Sequence, residues 1–292
     1  MSLVSIINKF RNLREYLRKG GIAKVERINV SKGELLKGRR VVITGGSSGI
    51  GLSIAKRFLD EGAMVVITGR SEKRLEDAKR EINNDNLYTL VWDIGNTTIV
   101  NIKILECEKI LDGCIDIFVN NAGISSRQTP FSLTKDAWQS VVDVNLTGNV
   151  FAGKEICNRW VNVKRNGVML NVASNAGVRN VVDAYGASKS AFISLTAGWA
   201  KEYAKYGIRI NAIAPGVIVG TNINKLQRSI SVEDNLYSSF PAKRYGVPDE
   251  IAEVALFLGS DMSSYIYGQT IIVDATATEH STENNTHQFA AK

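Results

Sequence analysis

The sequence predicts an α/β protein with a doubly wound parallel sheet of about seven strands and helices on both faces. Three observations carry that reading. From residue 39 onward, short apolar runs alternate with segments of helical period, the pattern of βα units around a parallel sheet. A glycine cluster stands where the first apolar run passes into the first helical pattern. No Pro- or Ser-rich linker interrupts residues 39–275, so one domain of that span follows.

The apolar runs place strands at 40–43, 64–68, 88–92, 115–119, 168–172, 209–212 and 270–273. Helices fill the gaps, notably near 50–61, 72–83, 135–163, 184–205 and 248–259. Ligands of such a sheet sit at the carboxyl ends of the strands. With 292 residues, 44% of them hydrophobic, the chain can bury a full core.

Two flanking segments differ in character. Residues 1–38 form a basic extension. Leu3, Ile6, Ile7, Phe10, Leu13 and Leu17 recur at helical spacing, and Lys9, Arg11, Arg14, Arg18 and Lys19 cover much of the rest. Such a helix packs on its own body or a partner subunit, or lies on an anionic membrane surface through residues 1–20; packing is favoured. Residues 276–292 read as a polar, disordered tail.

Residues 1–40 hold eleven Lys/Arg against three Glu, so the formal charge of +7 belongs to the extension. The remainder carries 25 basic and 26 acidic residues, which argues against nucleic acid as a partner. No run of roughly 18 apolar residues and no signal-peptide pattern is present, and a cytoplasmic protein is expected. Cys107, Cys114 and Cys157 are widely spaced and read as buried thiols rather than disulfides or zinc ligands. The only histidines, His280 and His287, lie in the tail, which leaves histidine metal sites and Ser-His-Asp triads without a base in the core.

The first strand runs into Thr44-Gly45-Gly46-Ser47-Ser48-Gly49-Ile50-Gly51 and then into a helical pattern with Ile54, Ala55, Phe58 and Leu59 on one side. Backbone N–H groups at a helix N-terminus attract a pyrophosphate, and glycine lets the main chain approach it. The order strand, glycine loop, helix is the one a phosphate site requires.

With this loop the chain resembles the short-chain dehydrogenase/reductase family, whose signature is T-G-x-x-x-G-x-G. The likeness extends to Asn120-Asn121-Ala122-Gly123, Asn145 in DVNLTG, Tyr185-Gly186-Ala187-Ser188-Lys189 and Ala214-Pro215-Gly216, over roughly residues 39–275. The resemblance implies a Rossmann-like fold and hydride transfer between nicotinamide and a carbonyl or alcohol carbon. The overall impression is of the 3-oxoacyl carrier-protein reductases and the sugar or polyol dehydrogenases of that family.

The resemblance also assigns residues. Gly45, Ser47, Ser48, Gly49, Ile50 and Gly51 would hold the dinucleotide, Asp93 would contact adenine, and Asn121, Ala122 and Gly123 would line the cofactor loop. Asn120 would hold sheet and loop together. Pro215, Gly216 and Ile218 would clamp the carboxamide, with Thr221 bonding the same amide. Gly69 stands where NAD-preferring relatives place an acidic residue, and Arg70 follows. A guanidinium there pairs with a 2′-phosphate, so NADP(H) is preferred, with NAD(H) possible.

Tyr185 and Lys189, four apart on a helix, share a face. A free tyrosine, with a pKa of about 10, is a poor base at neutral pH, and a neighbouring ammonium and the nicotinamide ring would favour the phenolate. By resemblance Tyr185 exchanges the proton, Lys189 also binds the nicotinamide ribose, and Asn145 holds a water beside Lys189. Ser174, following the fifth strand, would hydrogen-bond the substrate oxygen.

Three departures from the family pattern stand out. Ser174 precedes Tyr185 by eleven residues, a shorter interval than is common, and Thr221 lies one residue late. Asp274-Ala275-Thr276 replaces a D-G-G and is expected to affect packing or subunit contact. The substrate is a small carbonyl or alcohol compound, met under a lid at 221–245. By resemblance, helices near 135–163 and 184–205 would pair copies into a homodimer or homotetramer. A catalytically silent NADP-binding regulatory or scaffold protein is the alternative reading.

Overall fold

The computed structural model describes residues 33–126, 128–179, 181–221, 242 and 244–278. The expected N-terminal amphipathic helix, most of the expected lid and both histidines lie outside the described residues. The strands are β1 (Arg40–Thr44), β2 (Met64–Gly69), β3 (Leu87–Val91), β4 (Ile117–Asn120), β5 (Gly167–Val172), β6 (Ile208–Pro215) and β7 (Thr270–Val273). The helices are α1 (Gly49–Asp60), α2 (Glu72–Ile82), α3 (Val100–Ile110), α4 (Lys135–Val142), α5 (Asn149–Asn162), α6 (Ala184–Tyr203) and α7 (Pro248–Gly259).

All strand pairs are parallel, in the order β3-β2-β1-β4-β5-β6-β7. The chain therefore leaves β1 toward one edge and returns to β4 on its other side. The loops after β1 and β4 diverge, which opens a crevice at their carboxyl ends.

Both faces of the sheet are covered, which is why its strands read as unbroken apolar runs. All eight residues of β6 are buried. One core layer joins Ile54 and Phe58 of α1, Leu75 of α2, and Ile251 and Leu258 of α7. The opposite layer holds Ile104 and Cys107 of α3, Ile156 and Trp160 of α5, and Ala200 of α6. Cys107 and Cys157 are buried as expected, and burial pushes both thiols up to about 12; Cys114 is half-buried.

Strand β4 starts at Ile117, two residues later than its apolar run; Ile115 is buried in the core layer of α3 and α5, and the Asp116 carboxylate accepts from the Arg40 amide at 2.9 Å. The single helix expected over 135–163 is also divided. A π-helical turn, Asp143–Gly148, separates α4 from α5. A Cβ at Gly148 would fall 2.1 Å from the Ile94 carbonyl oxygen, so a side chain there would block the packing of this turn.

At the end of β7, Ala275 and Thr276 take left-handed φ of 52° and 65°. Glycine adopts this region without strain, whereas a residue with Cβ pays for it, and a β-branched one pays more. Both side chains are exposed, so no packing offsets the cost. Replacing Ala275 and Thr276 by glycine should stabilise the fold, by roughly 1 kcal/mol per site and more at Thr276. A rise in melting temperature of about 2–4 °C per kcal/mol, followed by thermal denaturation, is expected.

Candidate active site

The crevice is stitched across the strand-order reversal by two side chains. Thr44 Oγ1, at the end of β1, accepts from the Asn121 and Ala122 amides at 3.0 and 3.1 Å. Asn121 Nδ2 donates back to the Thr44 and Gly45 carbonyls at 2.9 and 3.1 Å. Asn121 therefore holds sheet and loop together, the role that sequence reasoning gave to Asn120. Asn120 points into the interior instead and donates to Asn171 Oδ1 at 3.0 Å, tying β4 to β5.

The glycines divide their work. Gly45 and Gly49 have φ of 66° and 57°, and a Cβ at Gly45 would stand 2.9 Å from Ala122 Cα. Gly51 does not line the crevice; a Cβ there would meet Asn121 Nδ2 at 2.4 Å, so it serves close packing. The result is a helix N-terminus that main-chain amides of a ligand-sized cleft can share with an anion.

The cleft encloses about 820 Å³. Its wall includes every predicted site residue except Gly51 and Asn145. At the end of β2, Arg70 is exposed beside Gly69. Ser71 and Arg74 also line the cleft. Sequence reasoning missed both. Ser71 is the N-cap of α2, its hydroxyl accepting from the Arg74 amide at 3.4 Å, and a capping serine followed three residues on by arginine was the available signal.

On the other side of the cleft, α6 begins at Ala184 because Asp183 caps it, accepting from the Gly186 amide at 2.8 Å. Tyr185 thus sits in the first turn and Lys189 one turn later. Ser174 follows β5, caps the short turn Asn175–Gly177, and accepts from the Ala176 amide at 3.1 Å. Ser174 and Tyr185 line the same cleft despite their short sequence interval, and the Ser174 hydroxyl holds the Tyr185 pKa down. Lys189 is buried; its Nζ donates to the Val172 carbonyl at 2.7 Å and lies 5.8 Å from the Tyr185 ring centre.

Known proteins resemble this chain over most of its length. A family model described as enoyl-(acyl carrier protein) reductase matches residues 45–278. The chain belongs to the short-chain dehydrogenase/reductase family. The 3-oxoacyl-(acyl-carrier-protein) reductase of Chlamydia pneumoniae is 36% identical over 255 residues, covering 83% of this chain and 98% of its own. An NAD-dependent glycerol dehydrogenase of Listeria innocua is 35% identical over 237 residues, covering 80% and 91%. The crystal structure of levodione reductase superposes with a TM-score of 0.77 at 31% identity, covering 84% of this chain and 99% of that one. The chain is accordingly an oxidoreductase of the NAD(P)-linked short-chain type.

Within this short-chain dehydrogenase/reductase, Asn145 does not reach the cleft wall. It lies in the π-helical turn, where its Oδ1 accepts from the Ile124 amide and its Nδ2 donates to the Ile124 carbonyl, both at 2.8 Å. That pair fixes the strand-exit segment after Gly123. A Cβ at Gly123 would stand 3.5 Å from Asn145 Oδ1 and 3.6 Å from Lys189 Nζ, so the two side chains flank the same main-chain spot. Thr221 stands against the glycine loop, with its Cγ2 3.4 Å from a Cβ placed at Gly49, and donates to the Ile218 carbonyl at 3.2 Å.

Electrostatics differ from the simple expectation. Burial raises the Tyr185 pKa; the Ser174 hydrogen bond lowers it, and the charge of Asp183 raises it further. Lys189 does not bond the phenol directly. Its own pKa falls to about 8 through burial. As pH climbs from about 8 toward the ordinary 10.5, the folded protein loses this proton before the unfolded chain does, so the native state gains stability. The stability difference between the wild type and Lys189→Met, followed by melting temperature, should therefore grow in favour of the wild type over that range, by up to ~3 kcal/mol. Parallel pH curves for the two proteins would contradict a buried, destabilised ammonium.

Proposed function

We propose that the chain is an NADP(H)-dependent oxidoreductase of a small carbonyl or secondary alcohol, with Tyr185 as the proton-exchanging acid/base. One observation carries this reading: Ser174, Tyr185 and the buried ammonium of Lys189 line the cleft that the glycine loop opens onto. The bound nicotinamide supplies or takes up the hydride at the substrate carbon.

The rest is done by side chains. Ser174 Oγ hydrogen-bonds the substrate oxygen and stabilises the negative charge that grows on it. Tyr185, kept protonated at neutral pH by its buried setting, gives its hydroxyl proton to that oxygen, which favours reduction. Lys189 spends one N–H on Val172 and offers its others to the cofactor ribose, while its charge steadies the phenolate left behind. Asn145 orders the segment after Gly123 and thereby the wall next to Lys189.

Specificity for the 2′-phosphate follows from the far end of the cleft. Arg70, Ser71 and Arg74 line the cleft with Gly69, which has no side chain to repel a phosphate. NAD(H) would bind with the same loop but without these contacts. Residues 39–275 form the catalytic domain in this reading, and the enzyme works in the cytoplasm as a homodimer or homotetramer. Exposed Trp138 on α4 and Phe151 on α5 support pairing through those helices.

Tyr185→Phe should lower turnover by about 10²- to 10⁴-fold while leaving NADPH affinity nearly intact. The assay is NADPH oxidation over a panel of ketones, sugars and acyl thioesters, with binding followed by cofactor fluorescence; undiminished turnover would remove the proton donor. Arg70→Asp should cut the NADPH/NADH preference in kcat/KM by roughly ten- to a hundredfold, the worth of one charged hydrogen bond. An unaltered ratio would place 2′-phosphate recognition on Arg74 and Ser71 alone.

A further inference from the structure

The turn that carries Ser174 is held from two sides. Against α6, Ser190 Oγ donates to the Gly177 carbonyl at 2.8 Å, and a Cβ at Gly177 would fall 2.6 Å from the Lys189 carbonyl carbon. No side chain fits between turn and helix, so the two move as one piece on that side.

The opposite side is braced by Asp274, which follows β7. Its Oδ2 accepts from Asn175 Nδ2 at 3.2 Å, from the Thr278 amide at 2.9 Å and from the Thr278 hydroxyl. Asn175 is buried, lines the cleft and directly follows Ser174. A Cβ at Gly216 would lie 2.6 Å from Asp274 Cβ, so the same residue also abuts the loop after β6. Asp274 is thus the meeting point of the serine turn, the Pro215–Gly216 loop and the chain beyond β7.

Thr278 returns to Asp274 after the left-handed Ala275 and Thr276 reverse the chain. Strain of this kind persists where the surroundings over-determine the conformation, and it concentrates at functional sites. The sequence had suggested that Asp274-Ala275-Thr276 concerns packing or subunit contact. The hydrogen bonds also tie it to the residue next to Ser174.

We infer that Asp274 is a positioning residue for Ser174: braced by Thr278, its carboxylate holds Asn175 and so fixes the Ser174 hydroxyl on the cleft wall it shares with Tyr185. The inference rests on the roles proposed above for Ser174 and Tyr185. Hydrogen bonds to an ionised acceptor are stronger than neutral ones, and a reacting group displaced by an ångström loses much of its effect. A neutral amide at 274 keeps the volume of the side chain but loses the charge that organises three donors.

The test uses the full chain with tyrosine labelled at the ring carbon bearing the hydroxyl, whose resonance reports hydrogen bonding of the phenol at neutral pH. The Tyr185 signal is the one missing from Tyr185→Phe, and Ser174→Ala defines the displacement caused by loss of the serine hydroxyl. Asp274→Asn should displace the Tyr185 signal in the same direction and by a comparable amount, with NADPH affinity unchanged. Asn175→Ala, which breaks the same link without touching β7, should reproduce it and decides the matter if Asp274→Asn does not fold. Adding Asp274→Asn to Ser174→Ala should produce no further displacement.

A Tyr185 signal that stays put in Asp274→Asn or, failing its folding, in Asn175→Ala would overturn the inference. So would a displacement that persists in the Ser174→Ala background, since that would be a direct effect of the charge. The resonance needs no substrate, so failure here is separable from failure of the catalytic reading, which Tyr185→Phe turnover decides.

Discussion

The whole site hangs on one exchange of hydrogen bonds at the place where the strand order reverses. Thr44 and Asn121 each use a side chain to satisfy the other loop's main chain: the threonine hydroxyl takes two amides, and the asparagine amide reaches two carbonyls. Four main-chain groups that a parallel sheet leaves open at its carboxyl edge are thereby paired. A buried donor or acceptor left unpaired costs about 1–3 kcal/mol, so the two loops are fixed relative to one another as a condition of folding. The glycine loop can then approach Ala122 within van der Waals contact, and the cleft inherits a rigid floor.

The second constraint is desolvation, and it acts on both partners of the proposed catalytic pair. Burial favours the neutral form of each group, lifting the tyrosine and lowering the lysine. Taken alone, this drives the pair away from the phenolate–ammonium state that helps abstract a proton. The Ser174 bond opposes it for the phenol, and the Val172 carbonyl gives the ammonium a partner. A site so biased is a better proton donor than acceptor before its ligands arrive. Its stability is sacrificed at neutral pH for a charge in the right place, a trade commonly seen at functional sites.

Much of this was legible in the sequence because it is written in local chemistry. The seven strands follow from unbroken apolar runs, and the loop from glycines whose positions demand left-handed φ or close approach. Tyr185 and Lys189 follow from a spacing of four on a helix. What escaped was set by tertiary contact. A single helical period over 135–163 gives no sign of the π-helical turn, which exists because Gly148 packs on the Ile94 carbonyl and Asn145 turns inward to Ile124. Asn120 and Asn121 are adjacent and chemically alike. Only the pleat of β4, which sends one inward and the other across the crevice, tells them apart.

The shorter interval between Ser174 and Tyr185 shows how these levels interact. Removing residues from the connection between β5 and α6 should draw the serine away from the tyrosine unless the turn is held from elsewhere. Both residues nevertheless line the same cleft. The turn is locked to the α6 backbone through Gly177 and Ser190, so Ser174 travels with the helix that carries its partner. With the position of the serine thus tied to α6 and to β7, the loop between them is released from any role in alignment. Val178, Val181 and Val182 are exposed on that loop, consistent with a segment whose composition is free to serve the ligand instead of the fold.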